Sequence, residues 1–255
     1  LNLWRVNYLA MNFIRSLMFN FQFYIGTSIL VTLCLPCLLF PRPVVLFVNK
    51  IWCLIMIKGM KWWLNLDIKV IGNLPPKGKS VIYAIKHQSA WETVFCTDFF
   101  SMPSIVLKKA LIFLPVIGLY FLRSGAIPIT RDQGISALKK MGKNAKLAVK
   151  EKRSMMIFPQ GTRVDPGVST TAKPYLPGVF FIYSQAKVPV IPVAHNAGLV
   201  WPKNSFIKYP ERVLSKVVTL EIMPEIPPGL SKKEFMKKLE EDIETKSNQL
   251  INMEK

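Results

Sequence analysis

The stretch of residues 86–92 (KHQSAWE) carries the residue types of a general base. It contains His87, one of only two histidines in 255 residues, and an acid, Glu92, five positions later. The apolar run of residues 81–85 leads directly into it, which predicts a buried strand that ends beside the histidine. An imidazole at a strand end, followed by a turn and a carboxylate, is an arrangement that suits proton abstraction.

The two side chains meet only if a new helix begins between them. On one continuous helix, residues five apart lie about 140° apart around the axis, so His87 and Glu92 would point in different directions. Ser89 and Glu92 have the S-x-x-E spacing of a capping box, which predicts an N-cap at Ser89 and places Glu92 in the first helical turn. The same spacing also allows a simpler interpretation, in which Glu92 only caps the helix and His87 is a polar loop residue.

Two more predicted strands end in an arginine. Residues 125–131 (GAIPITR) end in Arg131, and the strand of residues 154–158 continues into the sequence PQGTR, which ends in Arg163. Ligands of open α/β sheets bind at the carboxyl ends of the strands, and the planar guanidinium fork suits a phosphate. The arginines therefore predict an anionic substrate beside the base, and Gly161 lets the backbone approach it closely.

These segments together resemble the glycerolipid acyltransferases, the PlsC-like 1-acylglycerol-3-phosphate acyltransferase family. The first motif of that family is a histidine, four residues and an acid, usually Asp. His87 and Glu92 keep this spacing, with Glu in place of Asp. The second motif is a strand that ends in arginine, and residues 125–131 match it.

The third and fourth motifs follow in the same order along the chain. The third is usually FPEGTR, and residues 158–163 match it with Gln160 in place of the acid. The fourth is an apolar strand with a central proline, which residues 188–193 match. The resemblance covers residues 65–200. Gln160 keeps the ability to form hydrogen bonds but lacks the charge of the usual glutamate.

The resemblance implies a membrane-bound enzyme that moves a fatty acyl group from a thioester to the sn-2 hydroxyl of 1-acylglycerol 3-phosphate. The product would be phosphatidate, in phospholipid biosynthesis. His87 would act as the base, and Glu92 would hold its imidazole. Arg131 and Arg163 would bind the acceptor phosphate.

Further expectations come from the same resemblance. Gln160, Gly161, Thr162 and Lys173 would line the acceptor pocket or support its lining. No metal and no bound cofactor are implied, and the co-substrate is acyl-CoA or the thioester of acyl carrier protein. Lysophosphatidate and the acyl donor are the expected partners. The expected location is a bacterial-type inner (cytoplasmic) membrane, with the active site facing the cytoplasm.

The acceptor stays open at this point. Glycerol 3-phosphate or a lyso-aminolipid would suit the same chemistry, and a non-catalytic membrane-binding homologue would keep the same fold. His87 together with both arginines argues against the non-catalytic alternative, because a degenerate copy has little reason to retain all three.

The composition combines three properties that soluble domains rarely share. Hydrophobic residues make up 51% of the chain, the mean hydropathy is positive, and the formal net charge is +19. Such a chain suits an anionic membrane surface, where each nearby Lys or Arg contributes about 1 kcal/mol. Anionic membrane lipids are therefore expected partners. Nucleic acid is not, since the apolar N-terminus does not suit it and the sequence carries no zinc-finger or RNP-type signature.

Two apolar segments precede the rest of the chain. Residues 17–40 carry no charge and have about the length that spans a bilayer. Residues 44–66 contain interspersed lysines and tryptophans, which is typical of the headgroup level. We expect either a span followed by an interfacial helix or a two-helix element half-sunk in one leaflet. A signal peptide is disfavoured, because the run is long and lacks a cleavage site; Met11 is a candidate start of translation.

Downstream of these segments, short β-type runs alternate with helical patterns. Strands are predicted at residues 68–71, 80–85, 104–107, 126–130, 154–158, 188–194 and 217–222. Helices are predicted at residues 110–122 and 134–150, from residue 177, and after a capping box at residues 231–234. The alternation predicts an α/β fold with a mixed, largely parallel sheet flanked by helices, preceded by a membrane-embedded helical element. The predicted domains are a membrane-anchoring segment, residues 1–66, and a glycerolipid acyltransferase domain, residues 67–255.

The cysteines and the second histidine are predicted to have structural or supporting roles. The four cysteines lie in apolar surroundings, which predicts buried thiols in a reducing compartment (Cys34, Cys37, Cys53, Cys96). The second histidine, His195, also follows a predicted strand, so we expect it near the same edge in a structural or supporting role.

Overall fold

The computed structural model describes residues 3–130 and 134–254, and its N-terminal part is a group of apolar helices. These are α1 (Leu3–Phe21), a π-helical turn (Gln22–Gly26), α2 (Thr27–Leu33), a 3₁₀ turn (Leu35–Leu39) and α3 (Arg42–Leu64). Within the described residues, Ala10–Leu33 and Arg42–Leu64 are long and apolar enough to cross a membrane, judged by length and composition alone. The predicted span of residues 17–40 is wrong at its end, because Pro36 lies in the 3₁₀ turn and has no N–H with which to continue the helix.

Seven strands form one sheet in the described part of the chain. They are β1 (Asp67–Ile71), β2 (Ile82–Ile85), β3 (Ser104–Lys108), β4 (Ile127–Ile129), β5 (Met155–Ile157), β6 (Val190–His195) and β7 (Val217–Ile222). Their order across the sheet is β1-β7-β6-β2-β5-β3-β4. Neighbouring strands are parallel except for β6 and β7, which run antiparallel. The prediction of a mixed, largely parallel sheet is therefore confirmed.

Helices cover both faces of this sheet. The helices after β1 are α4 (Trp91–Phe99), α5 (Ile117–Arg123), α6 (Gly134–Lys150), α7 (Gly178–Ala186), α8 (Ala197–Val200) and α9 (Lys232–Asn252). Alternate residues of β2 belong to two core clusters, as expected for a strand buried on both sides. Tyr83 and Ile85 pack in a cluster with side chains of α3 and α4. Ile82 and Ala84 pack in a second cluster with side chains of α6, α7 and α9.

The last N-terminal helix shares the core of the sheet. Met56, Met60 and Leu64 of α3 are each no more than 1% exposed and pack in the cluster that contains Tyr83 and Ile85. Burying a side chain of this size contributes about 1.5–3 kcal/mol. The division of the chain after residue 66 stays a prediction, but α3 is firmly packed against the sheet.

Three of the four helix predictions are confirmed and one is wrong. α7 begins at Gly178 with Pro177 at its N-cap, as predicted. α6 has the predicted bounds, and α9 begins with the predicted capping box, in which Ser231 and Glu234 each accept from the other's backbone N–H. The helix predicted at residues 110–122 is divided into a 3₁₀ turn, Lys109–Phe113, and α5. The cause is Pro115, which cannot donate within a helix, followed by Val116 with a φ of 61°.

The four thiols are free, and two of them are less buried than predicted. Cys53 and Cys96 are buried, whereas Cys34 and Cys37 are half-buried. Cys34 lies directly before the 3₁₀ turn of the N-terminal helices and Cys37 lies within it, in a region where the apolar surface of the chain is widely exposed.

Candidate active site

The carboxyl ends of three adjacent parallel strands meet at one edge of the sheet. β2 lies between β6 and β5, and the three strands end at Ile85, His195 and Ile157. A cavity of about 620 Å³ opens at this edge, and its lining includes His87 and Arg163. The predicted base and one predicted arginine therefore line the same cavity, at the edge of the sheet where ligands of α/β proteins usually bind.

His87 and Glu92 form the predicted pair. The Nδ1 atom of His87 lies 2.7 Å from Oε1 of Glu92. The carboxylate is fully buried, whereas the imidazole is 17% exposed and lines the cavity. The ring of Phe158 stacks on the imidazole with the centroids 4.0 Å apart, which fixes the plane of the ring.

The helix after His87 begins slightly later than predicted. α4 begins at Trp91 with Ala90 at the N-cap, so the prediction of Ser89 at that position is wrong by one residue. The Ser89 hydroxyl accepts from the Trp91 N–H at 3.1 Å, while the Glu92 carboxylate accepts from the Ser89 N–H at 2.9 Å. Such short-range side-chain bonds still close the first turn. Glu92 therefore caps the helix and holds His87 at once, and the two predicted interpretations are compatible.

Glu92 is held as a carboxylate. Burial by itself would raise its pKa, but nearby His195, the hydrogen bond from His87 and the Ser89 N–H outweigh burial and lower the pKa below its ordinary value. An ionised carboxylate only accepts hydrogen bonds, so Nδ1 of His87 carries the proton that joins the pair. The lone pair of His87 is then on Nε2, on a ring that borders the cavity.

His195 lies on the other side of the same carboxylate. Its Nε2 is 3.7 Å from Oε2 of Glu92 and donates to the Lys86 carbonyl at 2.7 Å. Its Nδ1 accepts from the Ala197 N–H at 3.2 Å, which requires a neutral imidazole. Burial lowers the pKa of His195 and favours this neutral form, although Glu92 opposes the shift. The structure thus places the second histidine beside the pair, in a position to support it.

The third motif forms a tight turn after β5. Gly161 has a φ of 62°, a conformation that glycine adopts at little cost, and its N–H donates to the Phe158 carbonyl at 2.8 Å. The Val164 N–H donates to the His87 carbonyl at 2.8 Å, which joins this turn to the predicted base. Gly161 and Thr162 both line the cavity.

The other two predicted pocket residues stand behind that lining. Gln160 is 4% exposed, and its Nε2 donates to the Lys173 carbonyl at 3.4 Å. The Lys173 side chain is exposed, and neither residue is among the described residues that line the cavity. They occupy positions that support the wall rather than form it.

The cationic groups at the cavity include two that sequence reasoning missed. Arg163 lines the cavity as predicted, whereas Arg131 lies outside the described residues. Lys108 and Lys203 also line the cavity. Lys108 is the last residue of β3, so it could have been found by looking for cations at the carboxyl end of that predicted strand as well. No local pattern marks Lys203, which lies in the loop after α8.

Comparison with known proteins matches this chain to one family. Residues 67–196, half of the chain, match the family described as Acyltransferase. A 1-acyl-sn-glycerol-3-phosphate acyltransferase of Pseudomonas aeruginosa is 34% identical over 160 residues, which are 63% of this chain and 59% of that relative. A protein of the same name from Saccharomyces cerevisiae is 31% identical over 147 residues, 56% of this chain and 48% of that relative. The chain thus spans about half to three fifths of the length of these curated relatives.

A solved structure shares the fold. The crystal structure of the 1-acyl-sn-glycerophosphate acyltransferase PlsC from Thermotoga maritima superposes with a TM-score of 0.68 and covers 94% of this chain and 95% of that one, at 22% identity. The resemblance seen in the four sequence motifs is confirmed by the matched residues, which include the histidine–acid pair and the turn after β5. The chain belongs to the acyltransferase family.

Proposed function

We propose that this chain is a membrane-bound 1-acylglycerol-3-phosphate O-acyltransferase. It moves a fatty acyl group from a thioester to the sn-2 hydroxyl of lysophosphatidate and gives phosphatidate. The observation that carries the proposal is the His87–Glu92 pair, 2.7 Å apart, on a mainly apolar cavity that also contains Arg163. The names of the Pseudomonas and Saccharomyces relatives support the choice of acceptor.

The proposed reaction is one direct transfer. Nε2 of His87 takes the proton of the acceptor hydroxyl while the hydroxyl oxygen attacks the thioester carbonyl carbon. The resulting tetrahedral intermediate collapses, the C–S bond breaks, and the leaving sulfur takes the proton from the imidazolium. Glu92, whose pKa is lowered by its neighbours, stabilises the imidazolium between these steps. No residue of the chain is acylated, no bound cofactor is needed, and acyl-CoA or acyl carrier protein supplies the thioester.

The cavity lining has an apolar part that suits an acyl chain and a cationic part that suits a phosphate. Apolar side chains of β3, α5 and α6 form much of its wall and suit an acyl chain (Val106, Leu107, Phe121, Leu138, Met141). Arg163 suits the acceptor phosphate because its planar fork binds two phosphate oxygens at once. Arg131 joins it in the proposal through its motif alone. Gln160 supports the turn through the Lys173 carbonyl, a contact that needs an amide and not a charge.

The exposed surface of the N-terminal helices supports attachment to a membrane. Large apolar side chains on α1 and α2 are widely exposed, among them Phe13, Leu17, Phe21 and Leu33. A patch of this kind is unusual on a soluble monomer and marks an interaction surface. We therefore place these helices in the cytoplasmic leaflet of a bacterial-type inner membrane, where anionic lipids attract the +19 charge of the chain.

One assay tests this function. Purified protein in vesicles that contain anionic lipid is given labelled acyl-CoA and, in parallel, lysophosphatidate, glycerol 3-phosphate or a lyso-aminolipid. We expect transfer to lysophosphatidate to exceed transfer to each alternative by at least about 10-fold, because the buried polar groups of a matched site reject analogues that leave them unpaired. Faster transfer to another acceptor refutes the assignment of the acceptor. No transfer to any of them, from acyl-CoA or from a labelled acyl carrier protein thioester tested in the same way, refutes the enzyme.

A further inference from the structure

The loop after α8 borders the cavity and contacts its arginine. Lys203 contributes to the cavity lining. Its neighbour Asn204 accepts a hydrogen bond from Nη2 of Arg163 at 3.5 Å. The loop therefore brings a second cation to the same part of the cavity and orients the first. It begins beyond the residues that match the acyltransferase family, which end at residue 196.

Helix α1 holds this loop with a polar stripe. Asn12 donates to the Glu211 carboxylate at 3.1 Å, and the Ser16 hydroxyl accepts from the Lys208 N–H at 2.8 Å. Asn20 donates to the Phe206 carbonyl at 2.8 Å. The three α1 residues are spaced four apart, so they share one face of the helix.

This stripe is buried, although most of the helix surface around it is apolar. Asn12, Ser16 and Asn20 are each no more than 4% exposed, whereas Phe13 and Leu17 of the same helix are widely exposed. Phe19 of α1 packs in the protein core, as in an ordinary amphipathic helix, but along the stripe polar groups face the protein while large apolar side chains elsewhere on the helix are exposed. Ile14 and Met18 are also exposed, and each follows a stripe residue by two positions, about 200° around the helix axis. These side chains lie on the far side of α1 from the loop and belong to the surface that we assign to the membrane.

A buried lysine forms the centre of this contact. Lys208 is 1% exposed, and its ammonium donates to Asn20 at 2.9 Å and to the carbonyls of Phe206 and Ser205 at 2.8 Å and 3.2 Å. The same ammonium lies 4.9 Å from the ring centroid of Trp201. All three donors are used, and burying a charge is tolerated only where its partners are in place. The loop is therefore fixed in one conformation by a residue that does not itself reach the cavity.

We propose that Lys203 binds the acceptor phosphate together with Arg163, and that α1 positions the Lys203 loop through Lys208. The inference rests on the proposed function, since it assigns a phosphate to this part of the cavity. A phosphate monoester carries nearly two negative charges, which one guanidinium fork and one ammonium match in charge and in number of donors. The site for the lipid phosphate is then completed by the same helix that presents its other face to the membrane.

Substitution of Lys203 tests the phosphate contact. We expect Lys203→Gln to raise the KM for lysophosphatidate by about 10- to 100-fold, the range for losing one hydrogen bond between charged groups. The KM for acyl-CoA and the kcat should stay within about twofold, and Arg163→Gln should raise the same KM at least as much. Lys233→Gln, an equal change of charge at an exposed position on α9, should change none of these values.

The outcomes separate the two proposals. An unchanged KM for lysophosphatidate, or a rise confined to acyl-CoA, overturns the assignment of Lys203 while wild-type activity leaves the proposed function intact. An equal rise for monoacylglycerol, an acceptor without phosphate, also overturns it. Absence of transfer by the wild type from both acyl-CoA and the acyl carrier protein thioester refutes the proposed function instead.

A double-mutant cycle tests the role of α1. Lys208→Met should raise the KM for lysophosphatidate in the same direction, and the effect should not add to that of Lys203→Gln, because both changes remove the same contact. Asn12→Ala, which loosens the loop more gently through Glu211, should show a smaller rise and guards against a Lys208 variant that does not fold. Fully additive effects, or a lower melting temperature with no change in KM, would reduce Lys208 to a structural role and overturn the positioning.

Discussion

The ends of β2 and β6 lie side by side, and each brings a histidine to the same carboxylate, yet the two imidazoles have opposite surroundings. His87 engages Glu92 through Nδ1, is 17% exposed and borders the cavity. His195 is fully buried, and both of its ring nitrogens are used, by the Lys86 carbonyl and the Ala197 N–H. A base needs an available lone pair that faces the substrate, so exposure and hydrogen-bond occupancy support the role that we propose for His87 and a supporting role for His195.

The largest expected effect is the difference in kcat between a variant that replaces His87 and one that replaces His195. His87→Ala should reduce kcat by about 10³- to 10⁴-fold, because the base is lost, while the melting temperature and binding to vesicles stay close to wild type. His195→Gln should retain most of the activity and lower the free energy of unfolding by roughly 1–3 kcal/mol, since it disturbs two buried hydrogen bonds. Acyl-transfer rates and urea unfolding measure both effects.

The comparison fails in either of two cases. Undiminished transfer by His87→Ala would remove the base from the mechanism. Loss of transfer by His195→Gln at unchanged stability would exchange the two roles, because a purely supporting group should affect stability first.

Glu92 joins the two strand ends, and its substitution should affect both. Glu92→Gln keeps the shape of the side chain but cannot stabilise the imidazolium, and its NH₂ group favours the wrong tautomer of His87. We expect kcat to fall by about 10²-fold with little change in KM, the pattern for an interaction made only in the transition state. Glu92→Asp, with the acid that is usual in the family motif, should have a kcat much closer to that of the wild type. Equal kcat values for Glu92→Gln and Glu92→Asp would contradict the orienting role.

The same carboxylate should make stability depend on acid. The pKa of Glu92 in the fold lies below its ordinary value of 4.5, so the unfolded chain binds this proton more tightly. Its contribution is complete above about pH 4.5 and is lost as the pH falls through the folded pKa. The free energy of unfolding of the wild type should therefore fall more steeply below about pH 4.5 than that of Glu92→Gln, as measured by urea unfolding at successive pH values. Parallel curves for the two proteins would contradict this.

The positions of β2 and of the His87–Glu92 pair could be predicted because their signals are local. β2 is buried on both faces and therefore appears in the sequence as a continuous apolar run, and the polar residues that follow it fall at the carboxyl edge of the sheet. The spacing from His87 to Glu92 was enough to require a helix start between them. The start itself was misplaced by one residue, since Ser89 bonds to Trp91 rather than to the third residue along.

The parts of the site that escaped prediction depend on contacts between distant parts of the chain. Lys203 lines the cavity from a loop that α1, almost 200 residues earlier, holds through Ser16 and Lys208. No periodicity or turn signal marks such a contact, and a lone lysine in a polar loop is usually solvated. The antiparallel direction of β7 was equally hidden, because strand patterns state that residues are buried but not how strands are oriented.

A smaller effect is expected from the buried ion pair next to the carboxyl end of β2. Lys86, the residue before His87, is buried and pairs at 2.6 Å with Glu244 of α9, which also accepts from the Tyr175 hydroxyl at 2.8 Å. Glu244→Gln keeps an acceptor but removes the charge, and should lower the free energy of unfolding by about 1–3 kcal/mol. If this pair also positions the base, kcat should fall a few-fold while the KM for lysophosphatidate stays constant.

The matched control for Glu244 lies at the β6 end. There Asn196 donates to Glu254 at 2.9 Å, so α9 and the residues that follow it hold both strand ends. Glu254→Gln should lower stability by a smaller amount and leave kcat unchanged, because His195 and not the base is adjacent to that contact. An equal loss of kcat in the two variants would mean that α9 stabilises the whole edge of the sheet and does not distinguish between its histidines.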